Sequence, residues 1–173
     1  MSMRRVVAFF FLLGCGAPVA SITEPAVVTE SAWARFSEGL VGRWTATTSS
    51  GASLEVRYRL VAHGSALVQT WAPGTAGESI TVLHPDGESL MLTHYCGQGN
   101  QARLVAVDVA DAHVRFRRFD ATNVTAEQSV LSELSLRMLD GAHEHVETYE
   151  DSDGVKETTT LRFIRDEEPA API

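Results

Sequence analysis

Lysine, cysteine and long apolar runs are all scarce in this chain of 173 residues. It carries 14 basic side chains against 22 acidic ones, and its one lysine is Lys156. A net charge of −8 leaves no basic stripe for a phosphate backbone, which argues against nucleic acid as a partner. The longest apolar run is "VVAFFFLL", Val6 to Leu13. As a helix it would reach roughly 12 Å, well short of a hydrocarbon core of about 30 Å, so it does not span a membrane. There is no Gly-x-Ser-x-Gly, His-Glu-x-x-His, Cys-x-x-Cys or Gly-rich phosphate loop. These absences remove the strongly signed enzyme classes. No internal repeat is convincing. Aromatic and β-branched residues are frequent enough to exclude a disordered chain.

Arg4 and Arg5 before the apolar run form the charged and apolar regions of a secretory signal. "LLGC", Leu12 to Cys15, resembles the bacterial lipobox, in which cleavage precedes a cysteine that is then lipidated. The resemblance implies a lipid anchor on Cys15 and a place on the periplasmic face of a bacterial envelope membrane. Ordinary cleavage near Val19 to Ser21 is the alternative and would give a soluble periplasmic or secreted protein. Either way Cys15 is consumed or removed, and Cys96 is left without a cysteine partner despite an oxidising compartment. Removing Met1 to Gly14 takes two arginines and no acids, which leaves 159 residues and shifts the charge from −8 to −10. That length suits one domain with one core.

The rest divides simply. Residues 15–28, with two prolines, read as a tether. Residues 166–173, "DEEPAAPI", read as a disordered acidic tail. Between them, residues 29–165 form the folded domain. Thr29 to Leu40 reads as a short helix with Thr29 as its cap and Trp33, Phe36 and Leu40 on one face. Strands follow almost without a break. In Ser53 to Ala62, Leu54, Val56, Tyr58 and Leu60 alternate with Glu55, Arg57 and Arg59, so one face is buried and one is wet. Further strands are expected at Val41–Thr48, Ser65–Ala72, Ser79–His84, Glu88–Cys96, Gln101–Val109, His113–Phe119, Val130–Asp140, Ala142–Glu150 and Val155–Arg165. "PDG" at Pro85, "DG" at Asp140 and "DSDG" at Asp151 are turn signals. About ten short antiparallel strands mean a sandwich or a closed barrel. A lone helix followed by a meander favours the barrel, and closure removes exposed edges. The expected fold is therefore all-β: an up-and-down antiparallel barrel of about 8–10 strands with a short N-terminal helix.

"GRW", Gly42 to Trp44, opens the first strand just after the helix. It resembles the Gly-x-Trp of lipocalin-type barrels, where the tryptophan closes one end and a late-strand arginine packs over it. The resemblance assigns that arginine to Arg162, in "TLRFIR". The wider run of "LVGRWTATTSSG", "YRLVAHGSALVQTW", "HPDGESLMLTHYCGQGNQARL" and "RFDATN" is similar to a family of bacterial secreted proteins with a lipocalin-like, or calycin-like, barrel. That similarity covers roughly Leu40 to Arg165 and implies a fold, not an activity. Some related barrels hold haem on a late histidine, but neither His143 nor His145 matches a haem-ligand motif, so no cofactor is assigned.

The candidate chemistry centres on "LMLTHYCGQGNQAR", Leu90 to Arg103. His94 and Cys96 share a strand face with Leu90 and Leu92, so both are expected to point inward. Neighbours at i and i+2 lie about 6–7 Å apart, too far for a direct nucleophile–base pair. A thiol beside a polar cavity group is the expected state of Cys96. Asn100, Gln101 and Arg103 follow a glycine-containing loop. They either bind a ligand at the barrel mouth, with Arg103 receiving a carboxylate or phosphate, or satisfy the loop's own backbone. His143, His145 and Glu147 in "HEHVE" share a face. Three positions along one strand do not converge on one ion without a further ligand, and Glu144 and Glu150 suggest a wet strand, so no metal is expected. Trp44, Tyr58, Trp71 and Phe163 read as core or lid residues. Arg115, Arg117 and Arg118 read as a solvated outer face.

Three functions fit this pattern. The first is a barrel binding a small apolar or amphipathic molecule, with Trp44, His94, Cys96, Asn100, Gln101, Arg103 and Arg162 as site residues. The second is an enzyme doing acid–base work in a polar cavity, through His94. The third is an envelope interaction protein with a filled barrel.

Overall fold

The computed structural model describes Ala26–Asp166. The signal segment, Cys15 of the lipobox and the tail beyond Asp166 lie outside the described residues. Helix α1 spans Glu30–Leu40. Thr29 is extended (φ −83°, ψ 155°), and its hydroxyl accepts from the Ala32 amide at 3.2 Å. This is the expected N-cap, which satisfies one of the helix's free donors. Trp33, Phe36 and Leu40 are all buried, as their helical spacing requires.

Ten strands follow: β1 Gly42–Thr47, β2 Ser53–Val61, β3 Ala66–Trp71, β4 Ser79–Asp86, β5 Ser89–Tyr95, β6 Gln101–Ala110, β7 His113–Thr122, β8 Val130–Leu139, β9 Ala142–Glu150 and β10 Lys156–Arg165. Each pairs antiparallel with its chain neighbour, and β10 returns to β1, closing an up-and-down barrel. The closed up-and-down barrel is as expected and is compatible with a lipocalin-like fold. Two of the hairpin turns need backbone that only glycine adopts freely: Gly87 has φ +59° and Gly141 has φ +63°.

The two ends of the barrel differ. At one end lie α1, the short turn Ala62–Gly64 and the β4–β5, β6–β7 and β8–β9 turns. There the chain is tied across. Trp33 Nε1 donates to the Gly64 carbonyl at 3.0 Å, and the Val28 amide donates to the Glu88 carbonyl at 2.6 Å. Trp44 is 1% exposed and donates Nε1–H to the Leu40 carbonyl at 2.7 Å. The arginine over Trp44 is not Arg162, which is exposed on the outer wall. It is Arg165, whose guanidinium carbon lies 4.1 Å from the ring centroid. Alternation explains the difference, because Leu161, Phe163 and Arg165 share one face and Arg162 the other. Arg165 also donates to the Val41 carbonyl at 2.6 Å and to the Gly39 carbonyl, so it satisfies the free carbonyls at the end of α1. Arg43 and Thr45 bind the Asp166 carboxylate at 2.7 and 3.1 Å, which holds the start of the expected tail against β1.

The opposite end carries the loops 48–52, 72–78, 96–100, 123–129 and 151–155. The β1–β10 seam pairs only at Trp44↔Arg165 and Thr45↔Ile164, close to the helix end. The first half of β10, 156–160, is exposed throughout.

The barrel interior also has two sides. Leu83, Leu92, Leu104, Phe116, Leu134 and Leu136, from β4 to β8, are each 1% exposed or less and form an apolar wall. Burial of each such side chain contributes about 1.5–3 kcal/mol. The other side is polar where His143, His145, Glu147 and Tyr149 of β9 meet Tyr58 of β2 and Gln69 of β3.

Candidate functional site

The polar side is built by strand alternation. In β3, Leu67, Gln69 and Trp71 face inward, and in β9 His143, His145, Glu147 and Tyr149 do so. Opposite them, β4 and β5 turn Thr81 and His94 inward. "HEHVE" is thus not a wet strand. His143 and His145 are 0% and 1% exposed, and Glu144 alone of the segment's charged groups lies on the outer face.

These groups form one continuous chain of hydrogen bonds. Thr81 Oγ1 lies 2.9 Å from His94 Nδ1, and His94 Nε2 lies 3.2 Å from the Tyr149 hydroxyl. Tyr149 in turn hydrogen-bonds Glu147. His145 Nε2 lies 2.9 Å from Glu147 Oε1, and its Nδ1 lies 3.5 Å from Gln69 Nε2. Gln69 Nε2 also donates to the Tyr58 hydroxyl at 2.9 Å, and that hydroxyl lies 3.0 Å from His143 Nε2.

Donor counting orders the chain. An amide nitrogen only donates, so His145 Nδ1 accepts from Gln69 and its Nε2–H donates to Glu147. An ionised carboxylate only accepts, so Tyr149 O–H donates to Glu147. The Tyr149 oxygen then accepts from His94 Nε2–H, and His94 Nδ1 accepts from Thr81. Two lines of donors therefore converge on the Glu147 carboxylate. On the other side of Gln69, Tyr58 gives its proton to His143 Nε2, and His143 Nδ1 is buried without a partner.

The electrostatics follow from this arrangement. Burial holds His94 below the usual imidazole value, against the opposing pull of Glu147. Burial, with His145 and Arg165 nearby, holds His143 down at about 3. Both imidazoles are neutral at pH 7. Burial alone would raise Glu147, but the His145 hydrogen bond, the charges of His145 and His94 and the Tyr149 bond outweigh it, and its carboxyl sits below the usual range. Burial raises Tyr149 and Tyr58 well above an ordinary phenol. The site is a carboxylate held ionised by its hydrogen bonds and by the histidines around it.

The expected site residues divide. His94 faces inward, as alternation required, and both its ring nitrogens are occupied, so neither serves Cys96. Cys96 is a free, half-buried thiol in the turn after β5, its amide on the Asn100 carbonyl at 3.0 Å. Asn100 is fully buried but serves the loops, donating to the Ser129 carbonyl at 3.3 Å and to Gln128 at 3.4 Å. Gln101 does the same, donating to the Gly99 carbonyl at 2.8 Å and accepting from Thr122 and Asn123. Arg103 is not at the mouth. Ala102 and Leu104 point inward, so Arg103 stands on the outer wall, paired with Asp120 and 5.6 Å from the Phe119 ring centroid. Trp44 belongs to the closed end, and Arg162 to the outer wall.

The sequence reading missed Glu147, Tyr149, His145, Gln69 and Trp71 as partners. Trp71 is half-buried at the open end of β3, its ring 5.1 Å from His145 and 5.5 Å from Phe163. A signal for Gln69 existed, since a buried amide between Leu67 and Trp71 on one face demands a polar partner. Among the described residues, no three His, Cys, Asp or Glu side chains group as metal ligands. The sequence matches no protein-family model, and no curated protein matches it.

Proposed function

We propose that the protein is a small-molecule-binding barrel whose ligand enters the open end and rests on the polar chain centred on Glu147. The observation that carries this reading is the convergence of two donor lines on a partly exposed carboxylate whose partner His145 also contacts the half-buried Trp71. A barrel that only needed to be filled would be more stable with apolar residues there, because buried polar groups contribute little net stability. His94, Tyr149 and His145 fix the carboxylate from behind, and Trp71 supplies an apolar face. Export and a lipid anchor on Cys15 complete the proposal, which then places the barrel at a bacterial envelope membrane.

Fragment screening by backbone amide chemical shifts tests the binding. Hits should cluster at Trp71, His94, Glu147 and Tyr149 and leave Trp44 and Arg165 unmoved. A screen with no hits, or with hits only at the closed end, removes the reading. The anchor is tested separately: Cys15→Ala should release the protein from the membrane fraction, and its retention there would rule out lipidation at Cys15.

A further inference from the structure

We infer that the ligand is a small organic cation, an ammonium group on an apolar body, with its charge on the Glu147 carboxylate and its body against Trp71. This rests on the ligand-binding reading above and names the class of ligand.

The first argument is the polarity of the pocket. Glu147 is an acceptor among inward groups that are already spent as donors: His145 and Tyr149 both point their protons at it. A carboxylate offers roughly four lone-pair positions, so two donors leave room for a third and fourth. The Glu147 side chain keeps 15% of its surface exposed, whereas His145 behind it keeps 1%. The Glu147 side chain is therefore the more accessible of the two. Thr159, directly across from it on β10, is exposed, in the part of β10 that has no β1 partner. An anionic ligand would meet an acceptor there, and Arg118, which pairs with the inward-facing Leu104, is already engaged by Glu150 and the Val130 carbonyl. Arg103 is on the outer wall and Arg165 covers Trp44 at the far end.

The second argument is the aromatic neighbour. Trp71 is fixed in place by ring contacts to His145 and Phe163, yet it remains half-exposed at the lip. Trp71 and Glu147 both contact His145, and a tryptophan ring and a carboxylate in one site favour ammonium groups, through ring quadrupole and ion pairing together.

The third argument is the rim. The five loops of the open end, 48–52, 72–78, 96–100, 123–129 and 151–155, hold Glu78, Glu127, Asp151 and Asp153. They hold no lysine, arginine or histidine. Lys156 follows directly on the last of them, so the rim is acidic on balance, and an acidic balance favours cationic ligands over anionic ones. The site does not suit a metal ion, because Glu147 is the only carboxylate in the polar chain and its partners are spread along β9.

Calorimetric titration of the full-length protein with 2-phenylethylamine, 2-phenylethanol and 3-phenylpropanoate tests the assignment. The amine should bind at least ~10-fold more tightly than the alcohol, and the carboxylate should not bind. In Glu147→Gln, which keeps the shape, the amine should fall to the affinity of the alcohol. Equal binding of amine and alcohol in the unmodified protein, or a preference for the carboxylate, overturns the cation assignment and leaves a binding barrel of other specificity. Saturable binding by none of the three overturns the cation assignment too, while open-end hits in the fragment screen would still uphold the barrel reading. If Glu147→Gln does not fold, the amine-to-alcohol ratio of the unmodified protein decides alone.

Discussion

The closed end and the interior of the barrel use polar groups in opposite ways. At the closed end three side chains answer backbone needs: Trp44 takes the Leu40 carbonyl, Trp33 takes that of Gly64, and Arg165 takes those of Val41 and Gly39. Remove the side chain and a carbonyl is orphaned. Inside the barrel, below loops where Asn100 and Gln101 serve backbone carbonyls, another set of side chains answers one another. Thr81, His94, Tyr149, Glu147, His145 and Gln69 form a circuit whose backbone is already paired in the sheet. The difference separates a structural use of polarity from one that the fold does not require.

Breaking the closed end should have the largest effect. Trp44→Ala removes a buried ring and frees the Leu40 carbonyl, and should cost about 3–5 kcal/mol in urea unfolding. A loss below ~1 kcal/mol would mean that α1 does not depend on this contact.

The next effect comes from pH. The folded value of His143 lies below its unfolded value of about 6.5. The unfolded state therefore binds the proton first, and stability falls as pH drops below that value, down towards the folded pKa. From pH 7 to pH 5 the loss from His143 should be about 2 kcal/mol. Burial of His94 adds to it in the same direction, and Glu147 adds more only at lower pH, where its depressed carboxyl protonates. His143→Phe should flatten the slope. An unchanged slope would place the titration elsewhere.

A finer comparison sets Arg165 against Arg162. Arg165→Ala should cost about 1–2 kcal/mol, since it uncovers Trp44 and two helix carbonyls. Arg162→Ala, three residues away on the outer wall, should change stability by less than ~0.5 kcal/mol. Thermal unfolding of the two variants side by side gives the answer, and equal effects would contradict the clamp.

The fold was legible because the apolar–polar alternation is regular and the turns are marked. All ten strands, the helix and its Thr29 cap follow from period and turn chemistry. His94 was legible for the same reason. The rest of the site was not, because β9 reads as polar on both faces: "HEHVETYE" gives the period but not which face is inside. Only the pairing of β9 with β8, where His145 sits opposite Leu136 and Glu147 opposite Leu134, settles that. Arg103 was a different kind of miss. Its neighbours Ala102 and Leu104 already place it outside, and the appeal of an arginine after a glycine loop overrode that alternation. The same parity separates Arg165 from Arg162.

The central claim is that the Glu147 circuit is not needed for folding, and urea unfolding of Glu147→Gln at pH 7 tests it most directly. Glutamine keeps an acceptor for His145 and removes the charge. We predict that stability stays within about 1 kcal/mol of the unmodified protein or rises. A loss of 3 kcal/mol or more, roughly the cost of breaking a needed buried pair, would make the carboxylate a structural element and contradict the account.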